Sequence, residues 1–394
     1  MSKSSKWDIQ SRLIHRGSGI DFSRVRTPNP PIFQTSNYLY EDVEGGTDIL
    51  VGKKEGYIYS RYSNPTIDSL NEVLADIEAG DAALSFNSGL AAISAAILAY
   101  CKAGDHVVAS ALIYGGTYHL FQEQMGRLGI ETTFVNPTDF TEIKGAIKNN
   151  TRVLYTEPLA NPTLVSSDIR QWADTAHKHH CKLLVDNTFT PPPLFQPLRS
   201  GADVVIHSAT KYLGGHSDLT GGAIIASHKE IENISPALRY FGGIISPFIA
   251  WLLLRGVRTL GVRLERQCNS AFRIAQHLEK HPNILKANYA GLPSNPQYKF
   301  NKKQFRQFSG MLSFEVKGGF SRAKKVMQKL QLIQFTVSLG DVASLISHPA
   351  STSHVYLTPA ERESIGVREN LLRLSVGIEK IEDLIADLDQ ALKY

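Results

Sequence analysis

Short apolar runs alternate with helical patterns over the central part of the chain. The runs that read as buried strands are residues 107–109, 132–135, 152–155, 183–185 and 204–206. Helical stretches lie between several of them, and residues 90–99 form a good helix sequence rich in alanine and leucine. Strands that alternate with helices are typical of βαβ units. We therefore predict an α/β fold with a mainly parallel sheet.

These patterns divide the chain into three predicted segments: an N-terminal arm (1–57), a large domain (58–250) and a smaller C-terminal domain (251–394). The arm contains several prolines and many polar positions, which favour an extended segment. A long helical pattern runs from Pro247 through Trp251 toward Leu278. Strand patterns at 310–316 and 371–376 then predict a smaller α+β unit.

The composition is that of an ordinary globular enzyme. Of the 394 residues, 42% are hydrophobic and 20% are charged, and the net charge of +5 is small for this length. The three cysteines lie far apart, which predicts buried free thiols in a reducing compartment. The first residues lack the apolar core of a secretory signal, and the most apolar stretch, 242–254, is too short to span a bilayer. We expect a cytoplasmic protein with no membrane span.

Two weaker patterns predict neither a metal site nor a nucleic-acid partner. His207 and His216 have no third ligand at a sensible spacing. Residues 299–306 interleave basic and aromatic side chains, as single-strand binders do, but there is no wider basic face. A solvated loop with packed phenylalanines is the simpler interpretation.

The most informative segment is 207–218, His-Ser-Ala-Thr-Lys-Tyr-Leu-Gly-Gly-His-Ser-Asp. Lys211 follows an apolar run, and Ser208 and Thr210 precede it at alternate positions. On an extended backbone both hydroxyls point to one side and the lysine to the other. An amine with such neighbours suits a Schiff base with pyridoxal phosphate, whose phosphate the neighbours hold. A surface lysine at a strand end is the alternative that this segment alone leaves open.

Other segments supply the remaining needs of that cofactor. Asp186 ends an apolar strand pattern, where open α/β sheets place ligand groups, and a carboxylate there keeps the pyridine nitrogen protonated. Gly89 and Leu90 begin a helix whose free N–H groups suit a phosphate. Tyr114, in a turn with two glycines, can stack on the ring. Taken singly, Asp186 could cap a helix, Gly89 could belong to an ordinary turn and Tyr114 could simply pack. Together, in the chain order phosphate cradle, tyrosine, aspartate and lysine, they favour a site for pyridoxal phosphate.

The same segments resemble the Cys/Met-metabolism (trans-sulfuration) family of pyridoxal phosphate enzymes. This family includes cystathionine γ-synthase, cystathionine β- and γ-lyases, methionine γ-lyase and the homoserine-ester sulfhydrylases. The matching motifs are residues 59–66 (Tyr-Ser-Arg-Tyr-Ser-Asn-Pro-Thr), 88–92, 114–117, 186–188, 207–218 and 372–377. They cover almost the whole chain. The resemblance implies a fold-type I enzyme with a large cofactor domain and a smaller C-terminal domain.

The resemblance also implies a role for individual residues. Lys211 is the cofactor lysine and the catalytic base, Asp186 lies at the ring nitrogen, and Tyr114 stacks on the ring and handles the proton of the leaving group. Further cofactor contacts are implied for Gly89, Leu90, Ser208, Thr210 and Thr188.

Two more sets of residues follow from the resemblance. Tyr59 and Arg61 match residues that reach the cofactor phosphate of the neighbouring subunit, which implies a homotetramer with shared sites. Arg373 matches the arginine that binds the substrate α-carboxylate, and Asn161 and Ser338 assist it. A salt bridge within the C-terminal domain is the other interpretation of Arg373.

Val337 bears on the choice of substrate. Cystathionine-handling relatives often have a glutamate at this position, and an apolar residue fits a thioether or a homoserine ester better. The prediction is a carbon–sulfur lyase that carries out γ-elimination of methionine or a related thioether. The alternatives are a γ-replacement transferase (cystathionine γ-synthase or O-acetylhomoserine sulfhydrylase), then cystathionine β-lyase, and last a non-catalytic binding protein.

Overall fold

The computed structural model describes residues 7–15, 27–355 and 357–393. The predicted arm is not wholly extended, because α1 (Ile9–His15) and α2 (Val43–Leu50) lie within it. Ile9 and Leu13 anchor α1 in the main core. One apolar pair four residues apart is too short a pattern to predict a helix. Residues 1–6 and 16–26 of the arm lie outside the described residues.

A seven-stranded sheet forms the centre of the large domain, in the order β1-β7-β6-β5-β4-β2-β3. Its strands are β1 (Ala82–Phe86), β2 (His106–Ser110), β3 (Glu131–Val135), β4 (Thr151–Thr156), β5 (Lys182–Asp186), β6 (Val204–His207) and β7 (Gly222–Ala226). β7 runs antiparallel to its two neighbours, β1 and β6, and the other neighbouring strands pair in parallel. The predicted strands and the mainly parallel α/β fold are confirmed.

Helices cover both faces of this sheet: α3 (Pro65–Glu78), α4 (Gly89–Tyr100), α5 (Gly115–His119), α6 (Phe140–Ala146), α7 (Ile169–Lys178) and α8 (His228–Phe241). The central strands are buried on both sides, which explains their continuous apolar runs. Neighbouring residues of β7 show the two layers. Ile224 packs in the cluster that contains α4 and α8, and Ile225 packs in the cluster that contains α3.

The long helix predicted after Pro247 is two helices, α9 (Pro247–Arg258) and α10 (Leu260–Lys280). Thr259 separates them with a ψ of 3°. Its hydroxyl donates to the Gly256 carbonyl (3.1 Å) and accepts from Arg263 Nε (3.1 Å). A side chain that bonds the neighbouring backbone competes with the helix in this way, and the apolar period does not reveal it.

The C-terminal part is α+β, as predicted. A five-stranded sheet has the order β10-β11-β12-β9-β8 and is antiparallel except for the β10–β11 pair. In chain order the elements are β8 (Ile284–Asn288), α11 (Tyr298–Gln304), β9 (Met311–Val316), α12 (Gly319–Lys329), β10 (Gln334–Phe335), β11 (Leu345–Ser347), α13 (Pro359–Ser364), β12 (Leu371–Ser375) and α14 (Ile381–Leu392). The predicted domain boundaries at 57 and 250 stay predictions.

All three cysteines are buried and free. Within the described ranges, none of the helices has the length and apolar character needed to cross a bilayer.

Candidate active site

Lys211 lies in a cavity of about 550 Å³ between the large sheet and the C-terminal part of the chain. The chain turns as soon as β6 ends: Lys211 N donates to the Ser208 carbonyl (3.1 Å), and Gly215 N donates to the Lys211 carbonyl (2.8 Å). The expectation of an extended backbone, with Lys211 opposite the two hydroxyls, is therefore wrong. Ser208, Thr210 and Lys211 line the same cavity because the segment is a turn.

The surroundings of Lys211 favour the uncharged amine. Burial lowers the pKa of Lys211 to about 8, and the positive charge of Arg373 contributes in the same direction. Lys211 Nζ donates to Ser338 Oγ (2.9 Å). Ser338 has a φ of +87°, in the left-handed region that favours glycine. This unusual backbone directs the hydroxyl at the lysine and the carbonyl at Arg373.

Arg373 has a positive charge with neutral partners. Its Nη1 donates to Asn161 Oδ1 (3.0 Å) and its Nη2 to the Ser338 carbonyl (2.8 Å). The side chain is buried, and its Nε finds no hydrogen-bond partner in the described chain. Its recorded bonds go to neutral oxygens, which does not support the salt-bridge interpretation. A cation held this way in a cavity suits an incoming carboxylate.

Asp186 ends β5 at the same edge of the sheet. Its Oδ1 accepts from both the N–H (3.0 Å) and the hydroxyl of Thr188 (2.5 Å), and Tyr155 donates to its Oδ2 (3.3 Å). Burial raises the pKa of Asp186, and the hydrogen bonds of Thr188 oppose that rise. Thr188 also accepts from Ser208 N (2.8 Å), so it fixes the carboxylate relative to the lysine turn.

The first turn of α4 faces this edge. Ser88 caps the helix by accepting from Ala91 N (3.2 Å). A Cβ on Gly89 would lie 2.9 Å from Ser208 Cβ, so only glycine allows the helix end to approach the lysine turn this closely. Thr210 lies beside it, but its hydroxyl is already bonded to Gly221, accepting from the N–H (2.9 Å) and donating to the carbonyl (3.2 Å). It must redirect its proton to bind a phosphate.

Tyr114 stands at the start of α5, with its ring partly exposed to the cavity. Its backbone N–H donates to Glu157 Oε1 (2.7 Å). A Cβ on Gly115 would meet the backbone carbonyl of Ser353, which explains the first glycine in this turn.

Sequence reasoning missed Glu157. This residue is buried just past β4, at the carboxyl edge of the sheet, and lines the cavity. Burial and the charge of Asp186 raise its pKa well above the usual value. The rule that predicted Asp186, a carboxylate directly after a buried strand, would have found it too.

Val337, Leu90, Thr352 and Ser353 also line the cavity. Val337 is 61% exposed, so it borders open space rather than packing in the core. The charged side chains of the described lining are Glu157, Asp186, Lys211 and Arg373. Both carboxylates accept hydrogen bonds from neighbouring groups. Apart from these four residues, the described lining of the cavity is uncharged.

Tyr59 and Arg61 are not part of the described lining of their own chain's cavity. The Arg61 guanidinium lies over the rings of Tyr59 (5.5 Å) and Tyr62 (5.1 Å), and its Nη1 donates to the Arg239 carbonyl (3.3 Å). Tyr59 and Tyr62 are exposed, so the group forms a surface of the single chain.

The cavity fits pyridoxal phosphate on structural grounds. It contains an amine of lowered pKa, a buried carboxylate and a helix end that a Cβ would obstruct. The cavity also contains Arg373, a cation whose recorded hydrogen-bond partners are neutral. In the described part of the chain, no group of three His, Cys, Asp or Glu side chains could hold a metal ion.

Comparison with known proteins gives the same result. The family model described as "Cys/Met metabolism PLP-dependent enzyme" matches residues 10–393. The L-methionine gamma-lyase of Porphyromonas gingivalis is 43% identical over 386 residues, which are 97% of this chain and 96% of the relative.

Two solved structures are also similar. A cystathionine gamma-lyase from Lactobacillus plantarum, complexed with L-serine, has a TM-score of 0.92 at 34% identity and covers 98% of this chain and 99% of its own. A putative O-acetylhomoserine (thiol)-lyase from Campylobacter jejuni has a TM-score of 0.94 at 33% identity and covers 98% and 100%. The second contains N′-pyridoxyl-lysine-5′-monophosphate. These similarities extend over nearly the whole chain.

Proposed function

We infer that this chain, which belongs to the family of Cys/Met metabolism pyridoxal phosphate-dependent enzymes, is a lyase that breaks the bond between the γ-carbon and the sulfur of methionine or a related thioether. Methionine and one water then give 2-oxobutanoate, ammonia and methanethiol. The observation that carries the proposal is the lysine–serine pair, Lys211 Nζ to Ser338 Oγ at 2.9 Å, in one cavity with Asp186 and Arg373.

The proposed reaction depends on moving a proton at the substrate α-carbon. When bound, pyridoxal phosphate accepts the electrons that remain on that carbon. Lys211 takes the proton at its Nζ, since an amine with a pKa of about 8 both accepts and returns a proton near neutral pH. Ser338 Oγ holds the amine in place while it is not bonded to the cofactor.

Other side chains orient the reactants. Arg373 binds the substrate carboxylate through its fork of N–H groups, with Asn161 keeping the guanidinium in position. The Tyr114 hydroxyl delivers a proton to the departing sulfur. Asp186 would lie at the ring nitrogen and keep it protonated. Gly89, Leu90, Ser208 and Thr210 would hold the phosphate, and Thr188 fixes Asp186 relative to Ser208.

The neutral wall supports methionine as the substrate. A second charged group at the far end of a substrate needs a partner, and near Val337 the described lining offers neutral side chains. A thioether tail needs none. The 43% identity to a methionine gamma-lyase supports the same choice.

A γ-replacement transferase is the second candidate, since the O-acetylhomoserine (thiol)-lyase has the same fold over the whole chain. Cystathionine β-lyase is the candidate function ranked after the transferase. Elimination and replacement use the same cofactor, lysine and arginine, and they differ in whether water or a thiol completes the reaction.

A substrate panel tests the proposal. The purified holoenzyme is given methionine, homocysteine, cystathionine, cysteine or O-acetyl- or O-succinylhomoserine, each with and without an added thiol. Oxoacid, ammonia and thiol products are measured separately. We expect 2-oxobutanoate and methanethiol from methionine without added thiol. Turnover of only a homoserine ester plus thiol would instead identify a transferase.

We propose further that the enzyme is a cytoplasmic homotetramer with sites shared between subunits. The three buried free thiols suit a reducing compartment. Tyr59 is exposed on the single chain and Arg61 lies against its ring, which suits a contact with the cofactor of a neighbouring subunit.

A further inference from the structure

A buried glutamate–histidine pair lies on the far side of the sheet from the α4 cluster. His207 Nε2 is 3.2 Å from Glu78 Oε2, and the two side chains are only 2% and 1% exposed. Glu78 is the last residue of α3, and His207 is the last residue of β6. The sequence predicts no role for Glu78, and the reaction proposed above uses neither residue.

The position of Glu78 is unfavourable by itself. A carboxylate in the last turn of a helix faces the negative end of the helix dipole. Burial raises its pKa, and the neighbouring His207 opposes that rise. A neutral pair of the same shape often stabilises a core as well as an ion pair does. Stability alone therefore does not explain a buried pair of ionisable side chains here.

The pair is linked directly to Asp186. Asn187, the next residue, donates its side-chain N–H to Glu78 Oε1 (3.1 Å) and its backbone N–H to the Ile206 carbonyl (2.8 Å). Ile206 pairs with Asp186 in the sheet and precedes His207. The carboxylate and the histidine thus end neighbouring strands and are both buried, where charges interact strongly.

We propose that Glu78 and His207 form a buried ion pair that keeps Asp186 ionised and thereby keeps the ring nitrogen of bound pyridoxal phosphate protonated. His207 is then a positioning residue that acts through Asp186. The inference rests on the proposed placement of the ring nitrogen at Asp186.

The hydrogen bonds of Thr188 and Tyr155 also lower the pKa of Asp186, and those of Thr188 have the larger effect. Thr188 and Tyr155 donate hydrogen bonds to the carboxylate, and Glu157 adds a second acidic group. Among these neighbours the positive charge of His207 lowers the pKa of Asp186 from behind the sheet. His207 Nδ1 has no hydrogen-bond partner in the described chain, so the recorded side-chain hydrogen bond of the ring goes to Glu78.

The test uses pyridoxal phosphate labelled with ¹⁵N in its ring. The label is bound to the apoenzyme and its chemical shift is measured by solid-state NMR, since protonation moves this signal strongly. The variants are Glu78→Gln and the double variant Glu78→Gln with His207→Gln, which leaves no unpaired charge and so guards against misfolding.

We expect the wild-type signal at the protonated position and both variant signals shifted toward the unprotonated position. The dissociation constant of the cofactor should rise about tenfold, which corresponds to one pKa unit at Asp186. Glu230→Gln is the matched control. Glu230 is a buried carboxylate that pairs with Lys182 (2.8 Å), at the start of β5, so its removal should leave the signal unchanged.

Three outcomes would overturn the inference, and they differ. A protonated wild-type signal that stays in place in both variants means that the pair only packs. A shift in Glu230→Gln as well means a general loss of order. An unprotonated wild-type signal means that the ring nitrogen does not lie at Asp186, in which case the proposed site itself fails.

Discussion

At the scale of single residues, burial determines the chemistry of the cavity. Burial disfavours the charged form of the Lys211 amine, and Arg373 adds like-charge repulsion. The recorded hydrogen bonds of Arg373 go to neutral oxygens, so this cation suits an incoming carboxylate. The two groups are thus complementary, since one becomes a base and the other becomes an anion receptor.

The pKa of Lys211 gives a prediction about pH. The amine is protonated below about pH 8 and uncharged above it, so the rate of cofactor attachment to the apoenzyme should rise with pH and level off above that value. The rate is followed by the absorbance of bound pyridoxal phosphate. Arg373→Gln removes the repelling charge, so the midpoint should move to higher pH. A midpoint that does not respond would show that Arg373 has no effect on the amine.

Val337 gives a prediction about substrate choice. Val337→Glu should shift kcat/KM from methionine toward cystathionine, whose distal ammonium would meet the new carboxylate. We expect a change of about ten- to hundredfold in the ratio, since a hydrogen bond to a charged group contributes about 1.5–3 kcal/mol. Val337→Gln is the control of equal shape. If glutamate and glutamine act alike, or if the ratio moves toward methionine, residues other than Val337 determine the choice of substrate.

At the scale of elements, the site is a junction of strand ends, one helix end and one unusual loop. The end of β5 presents Asp186, the turn after β6 presents Lys211, and α4 directs its first N–H groups toward them. The loop at Ser338 approaches from the C-terminal part. Close approach of α4 depends on Gly89, which lies against Ser208.

Gly89→Ala tests that approach. The added Cβ would lie 2.9 Å from Ser208 Cβ and 3.0 Å from Ser208 Cα, so the helix end must retreat. The dissociation constant for pyridoxal phosphate should rise about tenfold, or about 1.4 kcal/mol, as measured by equilibrium titration of the apoenzyme. Gly145→Ala in α6, where a Cβ meets nothing within 4 Å, should bind the cofactor normally. Equal affinity in the two variants would contradict the proposed cradle.

At the scale of the whole molecule, the cavity lies between two sheets, and part of the cofactor site is proposed to come from another subunit. The surface formed by Tyr59, Arg61 and Tyr62 faces outward, with the arginine held between the two rings. Stacking and the bond to Arg239 hold this guanidinium in a fixed position before any partner binds.

Mixing two inactive variants tests the shared site. Lys211→Ala should lose the cofactor bond and nearly all turnover, and Arg61→Ala should retain the cofactor weakly. After subunit exchange, half of the dimers are mixed and each has one intact site of two, so about a quarter of wild-type activity should return. Each variant refolded alone is the control. Mixtures as inactive as their parents would mean that each subunit builds its own site.

The sequence by itself determined the parts of this protein that depend on neighbouring residues. Apolar runs of strand length, bounded by helical patterns, predicted the strands of the large sheet, because a strand buried on both faces has no polar positions. Asp186 could be predicted because carboxyl ends of parallel strands meet at one edge. The lysine segment and the other motifs predicted the cofactor.

Tertiary structure decided what distant residues do together. Ser338 binds Lys211 from 127 positions away, and Glu78 meets His207 across 129 positions. The position of Glu157 after a buried strand could be predicted from the sequence. Its contact with the Tyr114 N–H, 43 positions away, depends on the tertiary structure. The turn at Lys211 and the break at Thr259 also escaped the pattern, since each depends on hydrogen bonds rather than on apolar period. Periodicity is a local property, whereas packing brings together side chains whose separation along the chain carries no signal.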